Sequence, residues 1–369
     1  MPGVISIKSL LTALATGLCM IIGIFLFSHL GYALDDTTSK DRIKLIAAAS
    51  VLYSIPKTYP ETIVVQDGST AKPGILQVPY GKIDEYSKKL IKVQGVHGLL
   101  PVQGPPAFSL SHYGGALRDS LKDYAKGDMG SLYMRYKGEF PLTDNLGMMF
   151  SRTSNYLLFG LAFAIITGTF SAMIASTSRM IGRVFDGIHS LLVALPDFLL
   201  VVLLQMLCIF LANLLDRPVY LIIEFSSEVP FFIPFATIAL VPGALIYGTL
   251  RVAIHREWAE DYVITARAKG ISRTQIMFRH VLRNILEDLF AVLPKAISLA
   301  VGGAVVAEVL CQIFGLGGII RNPIYSIGSF TSLSSICLVL GFIMFGLHLF
   351  FAILKKLLRV ESKREEAAL

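Results

Sequence analysis

The chain has 369 residues, of which 54% are hydrophobic and only 16% are charged, whereas soluble domains average about 25% charged residues. This composition excludes an ordinary soluble enzyme, and it excludes a disordered chain because disorder requires low hydrophobicity. Four cysteines in this length are too few for a disulfide scaffold. The net charge of +7 indicates basic cytoplasmic loops of a membrane protein, and no nucleic-acid partner is predicted.

Six apolar stretches are long enough to cross a bilayer, which takes about 20 helical residues. The first lies in residues 1–34, and its length and flanking Lys8 favour a retained transmembrane helix over a cleaved signal peptide. The other five predicted spans form a core over residues 153–358, at about 153–178, 187–213, 229–250, 286–307 and 333–354. Two of the underlying apolar runs carry one charge each: Asp197 lies in 187–215 and Lys295 lies in 289–307.

The distribution of lysine and arginine sets the predicted orientation. The segment 251–284 contains seven basic residues against three acidic ones, and the C-terminal tail carries Lys355, Lys356, Arg359, Lys363 and Arg364. Because short cytoplasmic loops are enriched in lysine and arginine, both termini are placed inside the cell. The predicted fold class is an all-α polytopic membrane protein with six transmembrane helices in an N-in/C-in topology.

Residues 35–152 are predicted to lie outside the cell, between the first two helices. Short alternating stretches at 62–65 and 75–78, bounded by turn residues, predict strands. We therefore expect a small extracellular α+β insert with its sheet at about 55–105, followed by a helix from about Tyr113 to Lys126. Docking of a partner, a structural cap over a pore and an ordered loop without function are all compatible with this region.

The segment 257–275 has the pattern of two short helices that meet at a glycine. Acidic residues precede Lys269, and Gly270 is suited to a left-handed helix end. Ser272 with Gln275 three residues later predicts the start of a second helix. This arrangement would lie on the cytoplasmic face.

One face of the first of these helices carries Tyr262, Ala266 and Gly270, with Val263 beside them. The small residues would allow the backbone of a partner protein to approach closely. A helix resting on anionic lipid fits the basic residues equally well. The spacing alone leaves both interpretations open.

The residues from Ala266 to Gly270, followed by His280, Leu282, Arg283 and Asn284, resemble a known family. They are similar to the cytoplasmic loop of permease subunits of binding-protein-dependent ABC transporters, in the dipeptide/oligopeptide/nickel group. In that family the loop forms a coupling helix that sits in a groove of the ATPase subunit. The resemblance implies an ABC importer permease fold and assigns ATPase coupling to Asp261, Tyr262, Ala266, Arg267, Ala268, Lys269 and Gly270.

Other stretches resemble the same group over about residues 120–358. They are Gly127–Gly130, Leu195–Phe198, Gly302–Val306 with Glu308, and Gly315–Gly317. The chain departs from the group by lacking a Pro-Gly-Asp-Pro-like element after the first span, by Glu287-Asp288 and by Ile313-Phe314. These departures leave the substrate open.

Charged and glycine-rich positions near the membrane provide candidates for a translocation pathway or gate. Asp197, beside the helix-kinking Pro196, is a candidate for this role or for a structural pairing with a neighbouring helix or with Lys295. The resemblance adds Glu308, together with Gly315 and Gly317, as gate or loop-anchoring residues.

Motifs for ATP, metal and nucleophilic chemistry are not found in the sequence. It contains no G-x-x-x-x-G-K-[ST], no H-E-x-x-H and no G-x-S-x-G, so no catalytic residue, metal or cofactor is predicted. ATP hydrolysis would occur on a partner subunit.

The leading predicted function is import of dipeptides or oligopeptides. The alternatives are import of another small solute such as nickel, a non-transporting sensor or scaffold, and an ion-driven transporter.

The resemblance also implies the partners and the location. They are a second permease subunit in a heterodimer, two ATP-binding subunits, an extracytoplasmic substrate-binding protein and a peptide substrate. The expected location is the plasma membrane of a prokaryote, as a multi-pass protein.

Overall fold

The computed structural model describes residues 7–35, 38–66, 73–79, 82–103, 107–134, 138–218, 220–225, 228–322, 325–327 and 330–358. The predicted tail at 359–369 lies outside the described residues. The chain divides into two compact units, one formed by Met1–Ser28 with Ser120–Leu369 and the other by His29–Asp119.

The helices in the described part of the chain are α1 Ile7–Ser28, α2 Ala49–Thr58, α3 Ile83–Leu90, α4 Leu110–Ala125, α5 Thr143–Ala175, α6 Arg179–Ala194, α7 Asp197–Leu215, α8 Phe232–Glu257, α9 Asp261–Ala268, α10 Arg273–Ile276, α11 Leu282–Leu310 and α12 Phe330–Leu357. A π-helical turn, Met277–Val281, joins α10 to α11. The strands are β1 Leu34–Asp35, β2 Thr38–Ala47, β3 Ile63–Gln66, β4 Gly74–Gln77, β5 Val96–Gln103, β6 Ala107–Phe108, β7 Ser131–Met134, β8 Gly138–Pro141 and β9 Tyr325–Ile327.

Among the described residues, five helical stretches are long and apolar enough to cross a membrane: Thr143–Ala175, Asp197–Leu215, Phe232–Glu257, Arg273–Leu310 and Thr331–Leu357. Helix α1 has 22 residues, and it carries no charged residue after Lys8. The chain is thus a largely helical, multi-pass protein, and the count of six spans with both termini inside stays a prediction.

The helices extend beyond the predicted spans on the side of the 251–284 segment. Helix α8 continues to Glu257, and Arg273–Leu310 is one helical stretch of 38 residues. The predicted span at 229–250 ended before the charged Arg251, but a helix continues past the apolar layer because its backbone hydrogen bonds do not depend on side-chain charge. The predicted loop is therefore mainly helical.

The predicted span at 187–213 is a correction, because it is two helices and not one. The backbone of Leu195 and Pro196 is extended, with ψ angles of 128° and 143°. Proline lacks an N–H and disfavours helical geometry in the residue before it. Helix α6 therefore ends at Ala194, and the apolar helix α7 begins at Asp197.

Helices α5, α8 and α11 form the interior of the helical unit. Their contact is lined by Met173, Ile246, Leu250, Ile254 and Leu293, each at most 4% exposed. In the apolar windows, 67% of the residues are buried in Phe232–Glu257, compared with 17% in α7 and 11% in Thr331–Leu357. Helices α7 and α12 thus leave most of their apolar surface for lipid or for another protein.

The other unit is built around a four-stranded antiparallel sheet with the order β3-β4-β2-β5. Strand β2 pairs Ile43 with Leu76 of β4, and Leu45 with Leu99 of β5. Residues from α2 and α3, including Leu52 and Leu90, complete its core. The sheet begins at Thr38, earlier than the predicted range of 55–105, because alternating residues of β2 had not been assigned to a strand. Helix α4, Leu110–Ala125, lies close to the predicted range of 113–126.

Candidate functional site

The 257–284 segment contains the predicted meeting of two short helices. Gly270 has a φ of +76°; its N–H donates to the carbonyl of Arg267 at 2.9 Å, and the N–H of Ile271 donates to the carbonyl of Ala266 at 3.2 Å. These two bonds form the helix-ending motif for which glycine is favoured. The hydroxyl of Ser272 accepts a bond from the N–H of Gln275 at 3.3 Å, which confirms the predicted start of α10.

Part of the predicted docking face of α9 lies against the core of the same chain. Val263 is fully buried and Ala266 is 7% exposed, and both belong to the core shared with Ile254 and Ile276. The small residues therefore let α9 lie close to its own chain, and helical spacing alone could not tell which partner such a face would meet. The side of α9 that faces away from the core carries Asp261, Ile264, Thr265, Arg267, Ala268 and Lys269.

A partly buried hydrogen-bond network attaches α9 to two membrane helices. The carboxylate of Glu257, at the end of α8, accepts a bond from the hydroxyl of Tyr262 at 2.6 Å and one from the side-chain amide of Asn284 at 2.8 Å. The same amide lies 3.1 Å from the Tyr262 hydroxyl. Burial, followed by the bond to Glu257, raises the pKa of Tyr262 above its ordinary value. The hydroxyl therefore stays protonated as a donor.

No pattern in the sequence singled out Glu257, although it lies only five residues before Tyr262. Its 6% exposure marks it, since a carboxylate is rarely buried without hydrogen-bond partners. The sequence gives a signal only in retrospect, as an acidic residue at the end of an apolar helix, where the helix dipole favours positive charge.

Two further contacts fix the segment. The guanidinium of Arg267 lies 4.8 Å from the ring centre of Trp258, within the range of a cation–π interaction. Arg256 of α8 forms an ion pair with Asp288 of α11 at 2.7 Å. Asp288 is one of the residues that depart from the family resemblance, and here it links two helices.

A second cluster surrounds Glu308, near the end of α11. Its carboxylate is fully buried and accepts bonds from the hydroxyl of Thr153 at 2.5 Å and from the N–H groups of Gly317 and Gly318 at 2.5 and 2.9 Å. Thr153 also accepts the N–H of Leu316 at 3.0 Å. Glu308 thus holds residues 311–318, here called the Glu308 turn, against α5.

Gly315 and Gly317 lie in this cluster because no larger residue fits there. A Cβ atom on Gly315 would clash with the carboxylate of Glu308, and one on Gly317 would lie 2.7 Å from the Cα of Val305. The structure therefore brings together three of the four predicted gate residues. Their arrangement anchors a turn, whereas a role in gating stays a prediction.

The Glu308 turn is also held from its other side by an ion pair that sequence analysis missed. Arg152 of α5 contacts Glu224 at 2.8 Å and donates to the carbonyl of Phe314 at 3.2 Å. Glu224 accepts the N–H of Phe314 at 2.5 Å. Each side chain of the pair is 18% exposed. The sequence places Arg152 and Glu224 in separate connections and gave no indication that they meet.

Asp197 does not join this cluster. It lies in the first turn of α7, where a negative charge is favourable for the helix dipole, and not ten residues inside a span as predicted. Across the described residues, no ion pair joins Asp197 to Lys295, so that proposed pairing is wrong. A pathway role for Asp197 stays a prediction.

The part of the chain that the structure describes contains no group of three or more histidine, cysteine, aspartate or glutamate side chains placed to hold a metal ion. The two clusters above consist of hydrogen bonds and ion pairs between helices. They can transmit or resist movement between helices, and neither has the arrangement of a catalytic centre.

Comparison with known proteins gives a family match, several relatives and a solved structure. Residues 145–360 match the family described as binding-protein-dependent transport system inner membrane component. The dipeptide transport system permease protein DppB of Bacillus subtilis is 28% identical over 180 residues, covering 48% of this chain and 54% of that protein. The glutathione transport system permease protein GsiC of Escherichia coli O6:H1 is 25% identical over 206 residues, covering 55% of this chain and 65% of that protein.

The chain thus spans less than two thirds of the length of these two relatives. Among solved structures, a chain of the MetNI methionine ABC transporter in an inward-facing conformation is 14% identical, with a TM-score of 0.42. That match covers 59% of this chain and 95% of the other.

Proposed function

Because the chain belongs to the family of binding-protein-dependent transport system inner membrane components, we propose that it is the transmembrane permease subunit of an ATP-driven importer of dipeptides or oligopeptides. The names of its relatives, a dipeptide permease and a glutathione permease, support a peptide substrate. The five apolar helices and the family description support a multi-pass location in a prokaryotic inner membrane.

The proposed complex contains a second permease subunit, two ATP-binding subunits and an extracytoplasmic substrate-binding protein. About six helices rarely enclose a pathway wide enough for a peptide, so a pore shared by two permeases is physically reasonable. ATP hydrolysis is assigned to the ATP-binding subunits, because the sequence of this chain has no phosphate-binding loop of the Walker type. No cofactor of its own is required.

The observation that carries the proposal is the network of Glu257, Tyr262 and Asn284. It ties the exposed helix α9 to the end of α8 and to the start of α11 through bonds of 2.6 and 2.8 Å. A force applied to α9 is therefore passed to two membrane helices together. Such a link is what a separate ATP-driven subunit needs in order to shift a permease between two conformations, provided that it contacts each conformation differently.

The structure also changes the surface proposed for the ATPase contact. We assign it to the outward side of α9, where Ile264 is 56% exposed and Asp261, Ala268 and Lys269 are also exposed. Tyr262 and Ala266 act from within, by fixing α9 to the rest of the chain. Arg267 and Gly270 lie at the exposed end of the helix.

The test is a substitution that alters only this outward side. Ile264→Asp places a charge on a proposed apolar contact, whereas Ile264→Leu keeps the contact apolar. We expect the aspartate variant to insert normally, to lose the ATP-binding subunits during purification and to lose ATP-dependent uptake of a labelled dipeptide in proteoliposomes. The leucine variant should retain all three properties.

Met180→Asp provides a matched control. Met180 lies on α6, is 76% exposed, and receives the same change from an apolar to an acidic side chain outside α9. It should retain the ATP-binding subunits. If Ile264→Asp also retains the ATP-binding subunits, α9 is not the contact.

A different outcome would contradict the importer itself. If an uncoupler stops uptake by the native chain, and uptake continues without ATPase subunits, the chain is not part of an ATP-driven importer.

A further inference from the structure

A cavity of about 360 Å³ lies between the end of α5, the end of α8 and the helices α9 and α10. Its wall includes Phe170 and Ile174 of α5, Arg251 of α8, Trp258, and the arginines at 267 and 273. It is separate from the Glu308 turn. The proposed ATPase contact at Ile264 and Ala268 does not line it.

The charge on the wall of this cavity has one sign. Three arginines and His255 line it, and no aspartate or glutamate does. Arg251 is partly neutralised by Asp186 at 3.4 Å and donates to Ser176 at 2.9 Å. Within the described ranges, neither Arg267 nor Arg273 forms an ion pair. Two cationic groups thus face the cavity without a matching anion.

Trp258 provides an unused hydrogen-bond donor on the same wall. Its indole Nε1 is buried and has no acceptor among the described residues. Buried donors are nearly always paired in native proteins, and an exception needs a specific explanation. An anion bound in the cavity would accept this N–H as well as the guanidinium groups.

The cavity also changes from apolar to polar along one helix. Phe170 and Ile174 are one turn apart on α5 and are 50% and 47% exposed, whereas Ser176 and Thr177, at the end of the helix, also line the cavity. Seven residues of helix cover only about 10 Å. The apolar part therefore lies at the depth of lipid chains and the arginines lie at the depth of headgroups.

We propose that this cavity binds the phosphate headgroup of an anionic membrane lipid, with an acyl chain of that lipid lying against Phe170 and Ile174. Basic pockets between membrane helices on the cytoplasmic side suit such headgroups. A free phosphate ion would use the arginines but not the apolar wall. The inference requires that the helices span a membrane, and it does not require that the chain transports peptides.

The chain is suited to a direct test because Trp258 is its only tryptophan. Bromine atoms on lipid acyl chains quench tryptophan fluorescence on contact. The full chain is placed in vesicles of phosphatidylcholine and phosphatidylglycerol, with bromine on the chains of one lipid or of the other. We expect brominated phosphatidylglycerol to quench Trp258 more strongly than brominated phosphatidylcholine at equal content, whereas equal quenching would overturn the proposal.

Arg273→Gln is the test variant, because Arg273 lines the cavity and does not stack on Trp258. Each basic group near a membrane surface strengthens binding of anionic lipid, so we expect its removal to weaken the preference about fivefold. Arg279→Gln is the matched control: it makes the same change at an exposed position six residues away that does not line the cavity, and it should leave the preference unchanged. An equal loss in both variants would show a general charge effect and overturn the proposal.

Two additions to the vesicles distinguish other occupants. Inorganic phosphate at millimolar concentration should leave the preference unchanged; if it abolishes the preference, the ligand is a soluble phosphate and the lipid assignment is wrong. ATP-binding subunits free of tryptophan should also leave it unchanged. If they abolish it, the cavity is part of a protein interface.

Discussion

The carboxylate of Glu257 and the hydroxyl of Tyr262 are 2.6 Å apart, and this single bond joins the end of a membrane helix to a short helix outside it. Glu257 is 6% exposed, so the bond is shielded from water on most sides. Hydrogen bonds to a charged group contribute about 1.5–3 kcal/mol. The position of α9 therefore depends strongly on one phenolic hydroxyl.

Tyr262→Phe should loosen α9 while leaving the membrane helices in place. The variant keeps the ring but removes the donor, so Glu257 keeps the bond from Asn284 and loses the one from the hydroxyl, at a cost of about 1.5–3 kcal/mol. We expect ATP-dependent uptake to fall more than the binding of ATPase subunits. The measurement is the ratio of transported dipeptide to hydrolysed ATP in proteoliposomes.

Tyr220→Phe is the matched control, because Tyr220 is 41% exposed and lies far from α9 in the sequence. Its loss of a hydroxyl should leave the ratio unchanged. A normal ratio in Tyr262→Phe would mean that the Glu257 bond does not transmit force.

Glu308→Ala should unfold the Glu308 turn. The substitution leaves the hydroxyl of Thr153 and the N–H groups of Gly317 and Gly318 without an acceptor, and each unpaired buried group costs about 1–3 kcal/mol. We expect a loss of at least about 3 kcal/mol in stability, with Glu308→Gln intermediate because its amide keeps one acceptor oxygen. Thermal unfolding in detergent measures the effect.

Glu139→Ala is the control, because it removes an exposed carboxylate and should change stability little. An equal shift in the two alanine variants would contradict the anchoring role of Glu308.

Arg152 and Glu224 should show coupled effects on stability. Either Arg152→Met or Glu224→Met breaks an ion pair in which both side chains are 18% exposed, and each also removes a bond to Phe314. We expect the double variant to lose less stability than the sum of the single variants, by about 1–3 kcal/mol. Chemical unfolding of the four proteins measures the difference. Additive losses would mean that the two residues hold the turn independently.

Two substitutions at Gly270 distinguish the effect of backbone strain from the effect of losing contact with a partner protein. A side chain at a φ of +76° is strained by about 1–2 kcal/mol, and this cost is common to Gly270→Ala and Gly270→Trp. A Cβ there meets nothing within 4 Å among the described residues, so both side chains would leave the backbone into open space. We expect equal melting temperatures for the two variants and loss of the ATP-binding subunits only from the tryptophan variant. Retention of those subunits by Gly270→Trp would place the contact elsewhere.

The sequence was informative where a local pattern decides the structure. The helix end at Gly270, the cap at Ser272 and the apolar spans depend on neighbouring residues, and they are found close to the predicted positions. Pro196 was interpreted as a kink within one span, whereas the chain has a complete break between α6 and α7 at this position. By contrast, the direction of the Ala266 face depends on which distant helix lies against it.

The contacts of the Glu308 turn show a second limit. The Thr153 hydroxyl and the Glu308 carboxylate are 155 residues apart in the sequence, and no periodicity in a single chain relates them. The family resemblance selected Glu308 and both glycines but not Thr153, Arg152 or Glu224. Residues that hold a turn from another helix can be found only when the packing of the helices is known.

The stretch Arg273–Leu310 is one helical rod of 38 residues, about 57 Å long, that begins beside α9 and ends just beyond Glu308. It has two points of weakness: the π-helical turn Met277–Val281, where backbone bonds are shifted, and Pro294, which lacks an N–H. A tilt imposed near Ser272 reaches Glu308 in full only if both points are stiff. The stiffness of the π-helical turn and of Pro294 therefore sets how far the Glu308 end of the rod moves when its Ser272 end is tilted. Substitutions at these two points could change the coupling between α9 and the Glu308 turn without altering the outward side of α9.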